Sequence, residues 1–118
     1  MTDDTDTDAD DDTDADDTDD AIDELAAVVH ARADVAPEES YTAALLAGER
    51  AGEDPAIEKI GEEATEVILA AKGGDDDALV AEAADLLYHL LIVLEANGRD
   101  IDDVRAVLRQ RREDPGRD

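Results

Sequence analysis

Five carboxylates lie inside the two most apolar segments of the chain, where charged side chains are unusual and require an explanation. They are Glu62, Glu63, Glu66, Glu82 and Asp85. Because an α-helix turns by about 100° per residue, the first three share one helix face with Lys59. By the same rule, Glu82 and Asp85 share a face of the following helix with His89. Two acidic faces at helical spacing could bind hard cations, which prefer oxygen ligands.

The turn between these segments, "GGDDD" at residues 73–77, is short enough to make the two helices antiparallel neighbours. Their acidic faces are therefore expected to meet across one seam. Carboxylates ~5 Å apart repel each other by roughly 3 kcal/mol at an effective dielectric constant of ~20. Such a cluster needs protons or cations to neutralise it, and Mg²⁺ suits carboxylates combined with phosphate.

Several of these residues also have a structural interpretation. Glu62, Glu63 and Glu66 could form a surface patch paired with Lys59, as side chains three and four residues apart do on exposed helices. His89 could be a hydrogen-bonded core residue, and His30 is expected to face solvent. The same two interpretations, packing or function, stay open for Tyr41 beside the capping residue Ser40.

The elements that must position these residues are all helices, because apolar residues recur at helical spacing and no alternating strand pattern is present. Capping and breaking residues predict five helices: 21–35, one from Ser40, one from Asp54 and Pro55 to Gly73–Gly74, one from Asp75–Asp77 to Asn97–Gly98, and one from Asp100. The fourth is apolar around nearly its whole circumference. The fold class is therefore all-α, a helical bundle completed by oligomerisation to a homodimer or a higher oligomer.

Composition limits the partners and the chemistry. The 118 residues carry a formal net charge of −26, so neither nucleic acid nor an anionic membrane surface is an expected partner. With no cysteine, any metal must be held by oxygen or imidazole. Residues 1–20 are expected to be a disordered acidic tail and 21–118 a single domain, cytoplasmic and adapted to high salt.

Four stretches carry a resemblance to a known family. They are "SYTAALL" at residues 40–46, "KIGEEATE" at 59–66, "EAADLLYHLL" at 82–91 and "GRDIDDVRAVLRQR" at 98–111. Together they resemble the phosphoribosyl-ATP pyrophosphatase family of the MazG-like, all-α nucleotide pyrophosphatases. The resemblance extends over nearly all of residues 22–112.

The resemblance implies a reaction and a set of roles. The superfamily pattern E-x-x-E followed by E-x-x-D implies a Mg²⁺ site at Glu63, Glu66, Glu82 and Asp85. The implied reaction, a step of histidine biosynthesis, hydrolyses phosphoribosyl-ATP to phosphoribosyl-AMP and pyrophosphate, with Glu62 or Glu63 as catalytic base. Substrate contacts are expected from Lys59, Tyr41, His89 and Arg50. Lys72 and the pair Arg111–Arg112 of a neighbouring protomer are further candidates for the ribose phosphate.

Two alternatives stay open. One is a MazG-like house-cleaning enzyme that acts on dNTPs, since the same carboxylates can hold any metal-bound triphosphate. The other is a non-catalytic helical interaction module whose acids serve only salt adaptation.

Overall fold

The computed structural model describes residues 20–113, and within them it contains helices and no strand. The helices are α1 (Ala21–Arg32), a short 3₁₀ helix (Pro37–Glu39), α2 (Tyr41–Arg50), α3 (Pro55–Gly73), α4 (Asp76–Ala96) and α5 (Ile101–Glu113). The predicted all-α fold is confirmed. The predicted acidic tail lies outside the described residues apart from Asp20, which begins the folded part. In residues 20–113, no helix has the length and hydropathy needed to cross a membrane.

The first two helices begin at the predicted caps. The Asp20 carboxylate accepts the backbone N–H of Asp23 at 2.9 Å, and the Ser40 hydroxyl accepts that of Ala43 at 3.2 Å. However, α1 ends at Arg32 and not at residue 35. The extended backbone of Ala36, with ψ of 138°, shows why, since a residue before proline avoids the helical region and the chain must leave the helix before Pro37.

Helix α3 starts with Pro55 as predicted, but the prediction that the Asp54 side chain caps this helix is wrong. Asp54 makes no side-chain capping bond, and its φ of 61° differs from the extended backbone that a capping side chain uses. The carboxylate of Glu49, at the end of α2, takes over this role. Its Oε2 accepts the backbone N–H groups of Ala56 and Ile57, the latter at 3.0 Å.

Helices α3 and α4 form the most extensive helix pair and build the hairpin that the sequence predicts. Gly74 ends α3 in the left-handed conformation, with φ of 74°, which costs glycine nothing. The Asp75 carboxylate then accepts the N–H of Ala78 at 3.1 Å and starts α4. This short connection fixes which residues of the two helices face each other.

The core lies between α1, α2, α4 and the first turn of α3. Its buried apolar side chains are Val29, Leu45, Leu46, Ala56, Leu91 and Ile92. The remaining circumference of α3 and α4 is less covered, because Ile68, Leu69 and Val80 are 61%, 59% and 69% exposed in this chain. These three residues lie next to the α3–α4 turn, Val80 on α4, which the sequence expects an oligomer to cover, and Ile68 and Leu69 at the end of α3.

Helix α5 is tied to α1 by charge. Arg105 donates to Asp23 at 2.6 Å and to Asp102 at 3.0 Å. These contacts raise the pKa of Arg105 and lower that of Asp23, the hydrogen bond between the two being the largest cause in each case.

Candidate active site

A groove of about 560 Å³ lies along the seam between α3 and α4. Its lining residues are Gly61, Glu62, Glu63, Thr65, Glu66 and Glu82. The residues of α3 reach it because they lie within little more than one helical turn of each other, and Glu82 reaches it because α4 runs back along α3. The hairpin thus brings both acidic segments to one groove.

The carboxylates of this groove act on each other electrostatically. The pKa of Glu82 is raised above its ordinary value, first by loss of hydration and then by the negative charges of Asp85, Glu66 and Glu63. Charges from both helices therefore converge on Glu82. The groove is a region of net repulsion that a bound cation would relieve.

A buried histidine of α4 contacts one of the groove residues of α3. His89 is buried, and its Nδ1 lies 2.7 Å from Oε1 of Glu63 and 2.9 Å from the backbone carbonyl oxygen of Asp85. Its other ring nitrogen, Nε2, is buried and has no hydrogen-bond partner among the described residues. The side chain of Glu63 is also largely buried, at 13% exposure, although it lines the groove.

The donor set suits a hard divalent cation, although the side chains are not yet gathered around one. In residues 20–113, no three His, Asp or Glu side chains have the spacing of a formed metal site. The available donors are carboxylate oxygens, which Mg²⁺ prefers. The pKa of Glu82 is raised first by loss of hydration and then by neighbouring negative charge, which a cation would balance. The residues fit Mg²⁺ by chemistry, and binding requires their side chains to draw together.

The other predicted site residues lie outside the groove lining. Lys59 lies 3.6 Å from Glu62 as an exposed ion pair on α3. Tyr41, at the start of α2, is 62% exposed, and Arg50, at its end, donates to the carbonyl oxygen of Ala33 at 3.3 Å. The roles assigned to these residues from the sequence stay predictions.

Two features of the site were missed in the sequence. Thr65 lines the groove and donates to the carbonyl oxygen of Gly61 at 3.0 Å; its place three residues after Glu62 could have indicated it. Thr42 and Tyr88 share a hydrogen bond between their hydroxyl groups, and the Tyr88 ring stands edge-on to His89 with centroids 4.9 Å apart. No local signal joins α2 to α4 in this way.

Comparison with known proteins identifies a family and relatives of this chain. The model of the family described as phosphoribosyl-ATP pyrophosphohydrolase matches residues 22–112. A protein of Haloarcula marismortui is 53% identical over 91 residues, which cover 77% of this chain and 92% of that protein. One of Halobacterium salinarum is 51% identical over 89 residues, covering 75% and 94%. One of Methylobacterium nodulans is 49% identical over 88 residues, covering 75% and 79%.

Each of these three relatives is named phosphoribosyl-ATP pyrophosphatase. The family match spans both acidic segments and every helix from α1 to α5. The chain therefore belongs to the phosphoribosyl-ATP pyrophosphohydrolase family, whose members are hydrolases of a phosphoanhydride.

Proposed function

We propose that this protein hydrolyses the α–β phosphoanhydride of phosphoribosyl-ATP to give phosphoribosyl-AMP and pyrophosphate, a step of histidine biosynthesis. The observation that supports this most is the family match over residues 22–112, which includes both acidic faces of the α3–α4 groove. The reaction consumes one water. Its oxygen bonds to phosphorus, the bond from phosphorus to the bridging oxygen breaks, and one proton is released.

The proposed cofactor is Mg²⁺, held by Glu63, Glu66, Glu82 and Asp85. A chain with a formal net charge of −26 repels a triphosphate, so it needs cations between itself and the substrate. When bound, Mg²⁺ neutralises phosphate charge and polarises the phosphoryl oxygens. The support for this site is that the α3–α4 groove is lined by carboxylates of both helices, and that loss of hydration and then the charges of Asp85, Glu66 and Glu63 raise the pKa of Glu82.

Glu62 is the proposed general base. Its side chain is 66% exposed and lines the groove, whereas the carboxylate of Glu63 is engaged by His89. An exposed carboxylate beside bound substrate can accept the proton of the attacking water and pass it to solvent. Lys59, 3.6 Å from Glu62, would contact a phosphate once the substrate is in place.

The additional ribose phosphate of phosphoribosyl-ATP must be recognised by one of the few basic side chains of the protein. Candidates are Arg50, Lys59, Lys72, and Arg111 with Arg112 of a neighbouring protomer. A neighbour is part of the proposal because apolar side chains are exposed on α3 and α4, including Ile68, Leu69 and Val80. We propose a homodimer or higher oligomer in which a second copy covers them.

The test compares phosphoribosyl-ATP with ATP and the four dNTPs, with Mg²⁺ in molar KCl, and identifies pyrophosphate or single phosphate as product. A lost charge-assisted phosphate contact costs roughly 1.5–3 kcal/mol, or about 10- to 150-fold, so a real preference is easy to measure. Selective release of pyrophosphate from phosphoribosyl-ATP is expected. Equal cleavage of the dNTPs would favour the house-cleaning enzyme, and no cleavage at all would favour the interaction module.

A further inference from the structure

We propose that His89 is a positioning residue, whose buried imidazole holds one oxygen of Glu63 so that this carboxylate is presented to a divalent cation in the groove. The inference rests on the proposed function, since it assigns Glu63 to a metal site. It gives His89 a task behind the site in place of a direct contact with substrate. Carboxylates that bind metals are themselves commonly oriented by hydrogen bonds of this kind.

The geometry defines which nitrogen of the ring carries a proton. Both neighbours of Nδ1, the carboxylate of Glu63 at 2.7 Å and the backbone carbonyl of Asp85 at 2.9 Å, are hydrogen-bond acceptors. Nδ1 must therefore be the donor to both. One contact anchors the ring to the backbone of α4, and the other reaches across the seam to α3.

The ring itself is held from a second side. Tyr88 stands edge-on to His89, with an angle of 69° between the ring planes, and its hydroxyl is bonded to Thr42 of α2. Thr42, Tyr88, His89 and Glu63 thus form a continuous series of contacts through α2, α4 and α3. A carboxylate at the end of such a series has little freedom to turn away from the groove.

Apolar packing alone does not explain this histidine. Its Nε2 is buried without a partner among residues 20–113, which is an unfavourable arrangement for a polar atom. An apolar side chain of similar size would avoid that cost and still fill the space. What such a side chain could not do is donate a hydrogen bond to Glu63.

Three variants of His89 distinguish the contribution of Nδ1 from that of Nε2. In His89→Asn the side-chain amide nitrogen occupies the position equivalent to Nδ1, whereas in His89→Gln it lies one bond farther along. His89→Leu fills the space and donates nothing. The measurements are Mn²⁺ affinity without substrate, by the paramagnetic resonance of free Mn²⁺, the free energy of unfolding of the metal-free protein, and kcat and KM for phosphoribosyl-ATP.

We expect His89→Leu and His89→Gln to lower Mn²⁺ affinity about 10- to 100-fold, the usual effect of losing a hydrogen bond to a metal ligand. The same variants should lower kcat, and His89→Asn should recover much of both. His89→Leu removes the unpaired Nε2 but also leaves the largely buried carboxylate of Glu63 without its donor, so its free energy of unfolding should be close to or below that of the wild type. If His89→Leu does not fold, the contrast between Asn and Gln still decides, since both lose the ring.

Equal Mn²⁺ affinity in the wild type and all folded variants would overturn the inference, and so would a wild type that binds no Mn²⁺. Recovery by Gln in place of Asn would also overturn it. The proposed function fails separately: a wild type that binds Mn²⁺, shows the expected order of variants and leaves phosphoribosyl-ATP intact would refute the substrate and support the role of His89.

Discussion

The carboxylate of Glu49, at the end of α2, accepts the backbone N–H of Ala56 in the first turn of α3. A second bond from the same oxygen reaches the N–H of Ile57 at 3.0 Å. Two otherwise unpaired amides at the start of α3 are thus satisfied from the preceding helix. The contact sets where α3 begins, and so supports the register that brings its acidic face to the groove.

Glu49→Ala should therefore destabilise the protein. Loss of a helix cap costs about 0.5–2 kcal/mol, and two amides lose their partner here. Urea unfolding in molar KCl measures the difference, with Glu53→Ala, which removes an exposed acid of the same loop, as control. A Glu49→Ala variant as stable as the Glu53→Ala variant would show that the cap contributes nothing.

The ion pair of Asp23 and Arg105 should make part of the stability depend on pH. Because Arg105 lowers the pKa of Asp23 below its ordinary value of 3.8, the pair stabilises the fold above that pH. The contribution is lost as the pH falls through the lowered pKa. Asp23→Asn should be less stable than the wild type at pH 7, and the two unfolding free energies should converge as the pH falls below the lowered pKa of Asp23.

For this comparison Glu24→Gln is a suitable control, since Glu24 is an exposed neighbour in the same helical turn. A stability difference between Asp23→Asn and the wild type that stays constant from pH 7 to pH 3 would contradict the electrostatic explanation. It would indicate that packing of the side chain, and not its charge, ties α1 to α5.

Ionisation of Glu82 should change the stability of the fold in the opposite sense to that of Asp23. Its pKa is raised above the ordinary value of 4.5, so the folded state holds the proton more tightly and its stability falls as the pH rises through the raised pKa. Glu82→Gln should therefore stabilise the metal-free protein at neutral pH, and this advantage should vanish below about pH 4. Thermal unfolding in EDTA measures it, with Glu58→Gln as a control outside the groove.

The same substitution should abolish the reaction. Glu82→Gln and Asp85→Asn each remove a proposed ligand of Mg²⁺, so pyrophosphate release from phosphoribosyl-ATP should fall to background while the fold stays intact. Chelation of divalent ions by EDTA should stop the wild type in the same way. Full turnover in EDTA, or in both variants, would refute the metal site.

The end of α3 and the start of α4 could be predicted from the sequence because the signals for both are local. Gly74 and Asp75 act through their own backbone and the next turn, and the structure contains both as expected. The same turn brings His89 only approximately opposite Glu63, since Glu63 lies 11 residues before Gly74 and His89 lies 14 residues after Asp75. What spacing does not provide is the choice of partner, because any of several carboxylates shares that face.

The features that were mispredicted depend on long-range geometry. Asp54 has the residue type of a cap, but the positive φ of this residue prevents its side chain from acting as one. Glu49 replaces it only because α2 ends beside the start of α3. The cover of the apolar side chains of α4 stays a prediction, since the sequence shows that this helix needs covering and does not show by what.

The last prediction concerns that cover. A second copy of the chain is the proposed partner for Leu69 and Val80, which are 59% and 69% exposed beside the α3–α4 turn. Each protomer carries a formal charge of −26, so apolar attraction must exceed mutual repulsion. Salt screens that repulsion, with a Debye length of about 3 Å at 1 M and about 10 Å at 0.1 M.

Light scattering should therefore show a dimer or higher oligomer in molar KCl that dissociates as salt is removed. Leu69→Glu and Val80→Glu should yield monomers even in molar KCl, whereas Val107→Glu, the same type of change at a side chain of α5 that is 44% exposed, should leave the assembly intact. A well-folded wild-type monomer at micromolar concentration in molar KCl would refute the proposal.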